Sequence, residues 1–154
     1  MLPLASALHL LSAVIWVGGM FFAYMILRPI STRQFEPPQR LKLWSTVFAL
    51  FFPWVWAAIV VLTSTGLWLI FHQFGGMKNI GLHIHIMLSI SLLMSLIFAY
   101  LFFLPYRQLS GSVSKQNWPE AAKAMSQIRT LMAVNLSLGL SVIVIAATGS
   151  HLFT

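Results

Sequence analysis

The run "LHIHIMLSISLLMSLIFAYLFFLP" at residues 82–105 decides the fold, because it contains no Lys, Arg, Asp or Glu. An α-helix rises about 1.5 Å per residue, so about 20 apolar residues cross the roughly 30 Å hydrocarbon core of a bilayer. The run therefore predicts a membrane-spanning helix. Two histidines, His83 and His85, stand at its start, where polar residues are otherwise scarce.

The composition of the whole chain extends this prediction. Of its 154 residues, 59% are hydrophobic and 7% are charged, with a mean hydropathy of +0.88. These values exclude a water-soluble globular domain of ordinary composition. The formal net charge is +7, but with so little polar surface it indicates membrane topology and anionic lipid rather than nucleic acid. The chain has no cysteine, which excludes disulfides and thiolate metal sites.

Four hydrophobic segments are long enough to cross a bilayer. In lipid a spanning segment must satisfy its own backbone hydrogen bonds, and the alternation expected of barrel strands is absent, so each segment is predicted to be helical. We expect an all-α integral membrane protein, a four-transmembrane-helix bundle that forms a single membrane domain over residues 1–154. The predicted helices lie at about 4–27, 38–73, 81–105 and 118–149.

The basic residues predict the orientation of the bundle. Eight of the nine lie in two connections, after the first helix and before or at the start of the fourth: Arg28, Arg33, Arg40, Lys42, Arg107, Lys115, Lys123 and Arg129. By the positive-inside rule, these connections face the cytoplasm, and both termini lie on the outer side. The first helix is too long for a signal-peptide core and is interpreted as retained. The expected location is the bacterial cytoplasmic (inner) membrane.

All five histidines fall on the predicted outer side: His9, His72, His83, His85 and His151. His72 and His151 lie near the interface, where histidine is tolerated, whereas the other three are embedded, His9 and His85 by roughly 5 to 10 Å. Ionisable residues inside spans usually face the bundle interior and often mark sites. We therefore take all five as candidate metal ligands, with the embedded three as the stronger candidates.

The spacing of His83 and His85 separates their roles. Residues two apart on a helix point about 200° apart, so only one of the pair faces the bundle. This arrangement differs from an i, i+4 metal clamp. A zinc-enzyme interpretation is weakened further because the only acids, Glu36 and Glu120, lie on the opposite side and cannot act as a nearby general base.

Two embedded imidazoles on different helices suit axial ligation of a b-type haem, which needs no cysteine. The cofactor-binding candidates are His9 with either His83 or His85, together with Trp16, which shares the face of His9 at i+7. Lys78, the only basic side chain on the outer side, would pair with a haem propionate. A solvated loop lysine and structural histidines are the alternatives.

Other polar and soft residues lie within the spans. Asn135 is singled out because a large amide is difficult to leave unpaired in hydrocarbon. Five methionines offer thioethers for Cu(I), although core packing is their commoner role: Met20, Met77, Met87, Met94 and Met132.

Three segments resemble the CopD copper-resistance membrane domain. They are "LHLLSAVIWVGGMFFAYMILRP" at 8–29, "TSTGLWLI" at 63–70 and "IRTLMAVNLSLGLSVIVIA" at 128–146. The first resembles that domain's opening helix, and the resemblance implies that His9 is a metal or haem ligand. The wider group includes HemJ-like proteins and four-helix b-type cytochromes. The "GLHIHIML" stretch departs from the lysine that such proteins often carry in the third helix.

Three functions remain open from the sequence. The first is membrane electron transfer through haem b, in which the protein would act as a haem-dependent oxidoreductase between quinol and an outer acceptor. The second is copper binding or transport, with a periplasmic redox or copper protein as partner. The third is an accessory subunit of a larger membrane complex. A homo-oligomer is compatible with each, and the lipid bilayer is the partner common to all.

Overall fold

A computed structural model describes residues 1–152 of the chain. It contains four long helices, α1 (Leu2–Gln34), α2 (Pro37–Gln73), α3 (Leu82–Ser114) and α4 (Trp118–Leu152), each long and apolar enough to cross a membrane. Helix accounts for 91% of the described residues, which contain no strand. The predicted all-α fold with four spanning helices is confirmed. The orientation of the termini stays a prediction.

Helices α1 and α3 run further than the apolar pattern predicted, because each passes a proline by changing its winding. The α-helix Leu2–Phe21 continues as a π-helix at Phe22–Leu27 before Pro29, and α3 is π-helical at Phe102–Tyr106, which includes Pro105. Proline lacks the N–H that an α-helical turn uses, and a wider turn accommodates this loss. The basic ends of both helices therefore remain helical beyond the apolar span.

The helices associate as two closely packed pairs. Helix α1 packs mainly on α2, and α3 packs mainly on α4, while α4 also contacts α1 and α2. The α1–α2 pair is tied near the basic end by a hydrogen bond from Trp44 Nε1 to Ser31 Oγ at 3.2 Å. Short connections at 35–36 and 115–117 join the helices at that end.

Aromatic rings fill the interior on the basic side of the bundle. Phe48 and Phe52 of α2 stack at 4.8 Å, and Tyr106 of α3 meets Phe52 edge-on at 4.9 Å. Phe98 contacts Phe52 at 5.2 Å and Trp56 at 5.0 Å. Such edge-to-face and offset contacts stabilise beyond the area that they bury. They join α2 to α3, and so connect the two helix pairs.

The outward faces of the helices are apolar. Leu50, Trp54, Val60 and Leu92 are all more than 60% exposed, which a soluble protein avoids in contiguous patches. Such an apolar surface is suited to contact with lipid tails. The chain is a multi-pass membrane protein with the bilayer as its surroundings.

Only one of the adjacent glycines Gly18 and Gly19 is needed for close helix approach. A Cβ at Gly19 would collide with the ring of Phe51 on α2, whereas a Cβ at Gly18 would meet nothing within 4 Å. Small residues permit such approach between helices in membranes. Gly19 therefore sets the distance between α1 and α2.

We expect Gly19→Ala to lower the free energy of unfolding by about 1–3 kcal/mol, because the added methyl displaces the Phe51 ring. The matched control Gly18→Ala is expected to be neutral or stabilising by up to about 1 kcal/mol, from helix propensity alone. Unfolding of the detergent-solubilised protein by a denaturing detergent measures both changes. Equal effects of the two substitutions would contradict this packing.

Candidate functional site

One end of the bundle carries every histidine. This histidine end consists of the first turns of α1 and α3, the last turns of α2 and α4, and the loop 74–81. Both acids lie at the opposite end, with Glu36 preceding α2 and Glu120 in the first turn of α4. Any cation at the histidine end is therefore held without carboxylates from the described chain.

His9 is half-buried between α1 and α2. Its Nδ1 atom lies 2.9 Å from Oγ1 of Thr65. Its ring covers Gly66, where an added Cβ would lie 3.2 Å from the imidazole Cε1. Thr65, which supplies the hydroxyl, and Gly66, which has no side chain, are adjacent residues of α2. The "TSTG" segment at 63–66 therefore forms the seat of the ring, the surface against which the imidazole packs.

The hydrogen bonds of Thr65 fix which nitrogen of His9 carries a proton. Thr65 Oγ1 lies 2.6 Å from the carbonyl oxygen of Val61, an atom that can only accept, so the hydroxyl donates its single hydrogen there. The same hydroxyl must then accept from His9, which assigns the proton to Nδ1. The Nε2 atom keeps its lone pair and is available as a metal ligand.

His83, rather than His85, is the member of the pair that enters a helix interface. Its ring lies against Gly81 at the start of α3, and its Cβ and ring carbons lie against Gly149 of α4. The Nδ1 atom of His83 is buried without a hydrogen-bond partner. His85 is exposed. His9 and His83 thus occupy different interfaces, α1–α2 and α3–α4.

The remaining candidates at this end lie on the surface. His72 is exposed, stacks on Trp68 at 4.4 Å, and has Nδ1 at 3.1 Å from the Trp68 carbonyl oxygen, to which it donates in the Nδ1–H tautomer. His151, near the end of α4, and Lys78, in the loop, are also exposed. Among residues 1–152, no group of three or more His, Cys, Asp or Glu side chains is placed to hold a metal ion.

Trp16 lies deeper, at the bundle centre. Its ring is 3% exposed and contacts Phe98 edge-on at 6.4 Å. It borders a void of about 10 Å³ that is also bordered by Met20, Met132 and Asn135. The lining of this void is apolar and its size is about that of one water molecule, which leaves no space for a haem there. The haem interpretation of His9, Trp16 and His83 receives no support from this arrangement.

Sequence reasoning missed the residues that position the histidines. Thr65 and Gly66 lie in the "TSTGLWLI" segment that resembles the CopD domain, but no role beside His9 was predicted for them, and Gly81 and Gly149 were not singled out. The sequence does contain a signal for which residues lie at the depth of His9. Thr65 and Gly66 precede the end of α2 by about as many residues as separate His9 from the start of α1. Antiparallel neighbours place such positions at similar depth.

The fold and its histidines define a multi-pass helical membrane protein with an imidazole set into a helix interface near one end. Residues 45–148 match the model of the family described as CopD, copper resistance protein D. Because the match covers more than half of the chain, the protein belongs to the CopD family, as the sequence resemblance suggested. Comparisons with proteins of curated function and with solved structures gave no match. The family match begins within α2, so Thr65 and Gly66 lie inside it and His9 lies outside it.

We expect Thr65→Val to release the tautomer of His9, because valine keeps the shape of threonine but offers no acceptor. In the native protein, ¹⁵N NMR of labelled histidine should show a protonated Nδ1 and an unprotonated Nε2 at neutral pH. The variant should show a mixture of tautomers, and Thr65→Ser should keep the native pattern. A native pattern in Thr65→Val would show that the hydroxyl does not hold the ring.

Proposed function

We propose that this protein binds copper at the histidine end and passes it across or along the membrane, with His9 Nε2 as its ligand. Membership of the CopD family supports copper as the cargo. The observation that carries the residue assignment is the hydrogen bond of His9 Nδ1 to Thr65, which orients the ring and leaves Nε2 free. Imidazole nitrogen is a common copper ligand in proteins.

The charge of the histidine end favours Cu(I) over Cu(II). Imidazole and thioether ligands are neutral, the chain has no cysteine, and Glu36 and Glu120 lie at the other end. The free energy of desolvating an ion rises with the square of its charge, so a site without compensating negative charge admits a monovalent ion more readily.

The small number of ligands suits transfer rather than storage. His9 is not joined by two further His, Cys, Asp or Glu side chains within the described residues. A cargo ion must leave as well as enter, and a single oriented imidazole holds it less tightly than a complete coordination shell. The expected partner is a copper-binding protein on the side of the histidine end, which would supply further ligands during exchange.

Haem-dependent electron transfer is the competing function, and a spectrum separates the two. Purified protein produced with a haem precursor would show a b-type absorption band if His9 and His83 were axial ligands. A colourless protein that carries copper would support the copper proposal. An accessory role would instead be indicated by co-purification with a larger membrane complex and by the absence of both cofactors.

We expect His9→Ala to weaken Cu(I) binding by about tenfold or more, the scale of effect seen when metal sites lose a ligand or its support. Anaerobic titration of the detergent-purified protein against a chromogenic Cu(I) chelator measures this affinity. His85→Ala is the matched control, because His85 is an exposed imidazole at the same end of the bundle on another helix, and it should bind as the native protein does. Unchanged affinity in His9→Ala would refute the assignment.

A further inference from the structure

The basic end of the bundle is the end opposite the histidine end, and two of its arginines lie in the same arrangement on different helices. Each follows a π-helical segment, Arg28 on α1 and Arg107 on α3. The Cζ atom of Arg28 lies 4.3 Å from the centroid of the Tyr24 ring, and that of Arg107 lies 5.1 Å from the centroid of the Phe103 ring. Each guanidinium therefore lies over an aromatic ring four residues earlier in its own helix.

These contacts hold both guanidinium groups on the membrane side of their Cα atoms. Helices α1 and α3 begin at the histidine end, and helical side chains lean toward the N-terminus of their helix. A residue four positions earlier lies about 6 Å nearer to the bilayer centre. Arginines near the ends of spanning helices usually extend the opposite way, toward water. The neighbouring Met25, Ile26 and Leu104 are exposed and apolar, so the two charges lie at the border between headgroups and hydrocarbon.

The chain does not contain enough carboxylates to pair with the charges at this end. Eight basic residues lie toward it against two acids, Glu36 and Glu120, which leaves six positive charges uncompensated. Glu120 accepts a hydrogen bond from Gln108 Nε2 at 3.2 Å, and Glu36 is exposed before the start of α2. The Nε atom of Arg28 is buried without a partner, so its terminal Nη groups are the donors open to a ligand. An anion from outside the chain is therefore expected here.

A phospholipid phosphate is the anion that matches this depth and this chemistry. A planar guanidinium can donate two parallel hydrogen bonds to one phosphate group. Acyl chains hold a lipid phosphate at the level of the headgroups, whereas a soluble anion would have to leave water to reach the two rings. Clustered Lys and Arg beside a spanning helix attract anionic lipids. The same cluster would repel the cationic part of a choline headgroup.

We propose that Arg28 and Arg107 each bind the phosphate of one anionic phospholipid in the leaflet at the basic end. The rings of Tyr24 and Phe103 restrict the two guanidinium groups before binding, so less side-chain entropy is lost when the lipid binds. The two sites lie on α1 and α3, and they therefore attach one helix of each pair to the headgroups of that leaflet. These sites do not depend on the copper proposal.

Native mass spectrometry of the detergent-purified full chain tests the sites, with phosphatidylglycerol and phosphatidylcholine as the probes. We expect two phosphatidylglycerol molecules to bind more tightly than any further ones, and about fivefold or more tightly than phosphatidylcholine. Arg28→Gln and Arg107→Gln should each remove one of the two tight sites. Arg33→Gln is the matched control, because Arg33 is an exposed arginine of α1 and its replacement removes the same charge. Both tight sites should remain in that variant.

Arg28→Lys separates a phosphate site from general electrostatic attraction, because lysine keeps the charge but lacks the planar pair of donors. We expect it to weaken one site by about threefold or more. Arg107 is exposed, so Arg107→Gln keeps the test decisive if Arg28→Gln fails to fold. Equal losses in all three glutamine variants, with full binding in Arg28→Lys, would show diffuse attraction alone and overturn the proposal. Displacement of the lipid by millimolar inorganic phosphate would overturn it in favour of a soluble anion.

Discussion

Hydrocarbon offers no hydrogen-bond partner, and this constraint governs both the backbone and the side chains of the bundle. Helices satisfy the backbone internally. Most hydroxyl groups within the spans do the same by donating to the carbonyl one turn earlier, as Ser64 does to Val60 and Ser137 does to Ala133. These bonds leave the outer surfaces apolar. Association of the helices then depends on packing, which explains the importance of Gly19 and of the aromatic contacts between α2 and α3.

His9 and Asn135 differ from these hydroxyl groups, because they form hydrogen bonds to other helices. His9 bonds to Thr65 on α2, and Asn135 bonds to the Met94 carbonyl on α3. A polar group that is paired across an interface fixes the rotation of both helices, because any rotation would break the bond without replacement by water. The need to pair a buried polar group thus orients the imidazole of His9 at the histidine end and the amide of Asn135 at the centre.

The sequence was sufficient to predict what depends on hydropathy and position along a helix. The four spans, the clustering of histidines at one end and the opposite directions of His83 and His85 follow from hydropathy, length and helical period. Contacts between helices did not follow, because each spanning face is apolar and hydropathy does not distinguish lipid from a neighbour. Similar depth along antiparallel helices makes Thr65 a candidate partner of His9 but does not show which face of α2 meets α1, and Gly18 and Gly19 were equivalent until Phe51 was located. The π-helical segments near Pro29 and Pro105 likewise depend on whether packing continues past the proline.

The candidate site combines residues from inside and outside the region that matches the family. The matched region, 45–148, supplies Thr65 and Gly66, while α1 supplies His9 from outside it. An imidazole on α1 without Thr65 would lose the hydrogen-bond acceptor of its Nδ1, and the seat on α2 without the imidazole offers no nitrogen ligand. The candidate site therefore exists only where both helices are present. Because Gly19 and Gly66 lie on opposite sides of the α1–α2 interface and both admit a ring from the other helix, the closeness of that pair is what brings a ligand and its hydrogen-bond acceptor together.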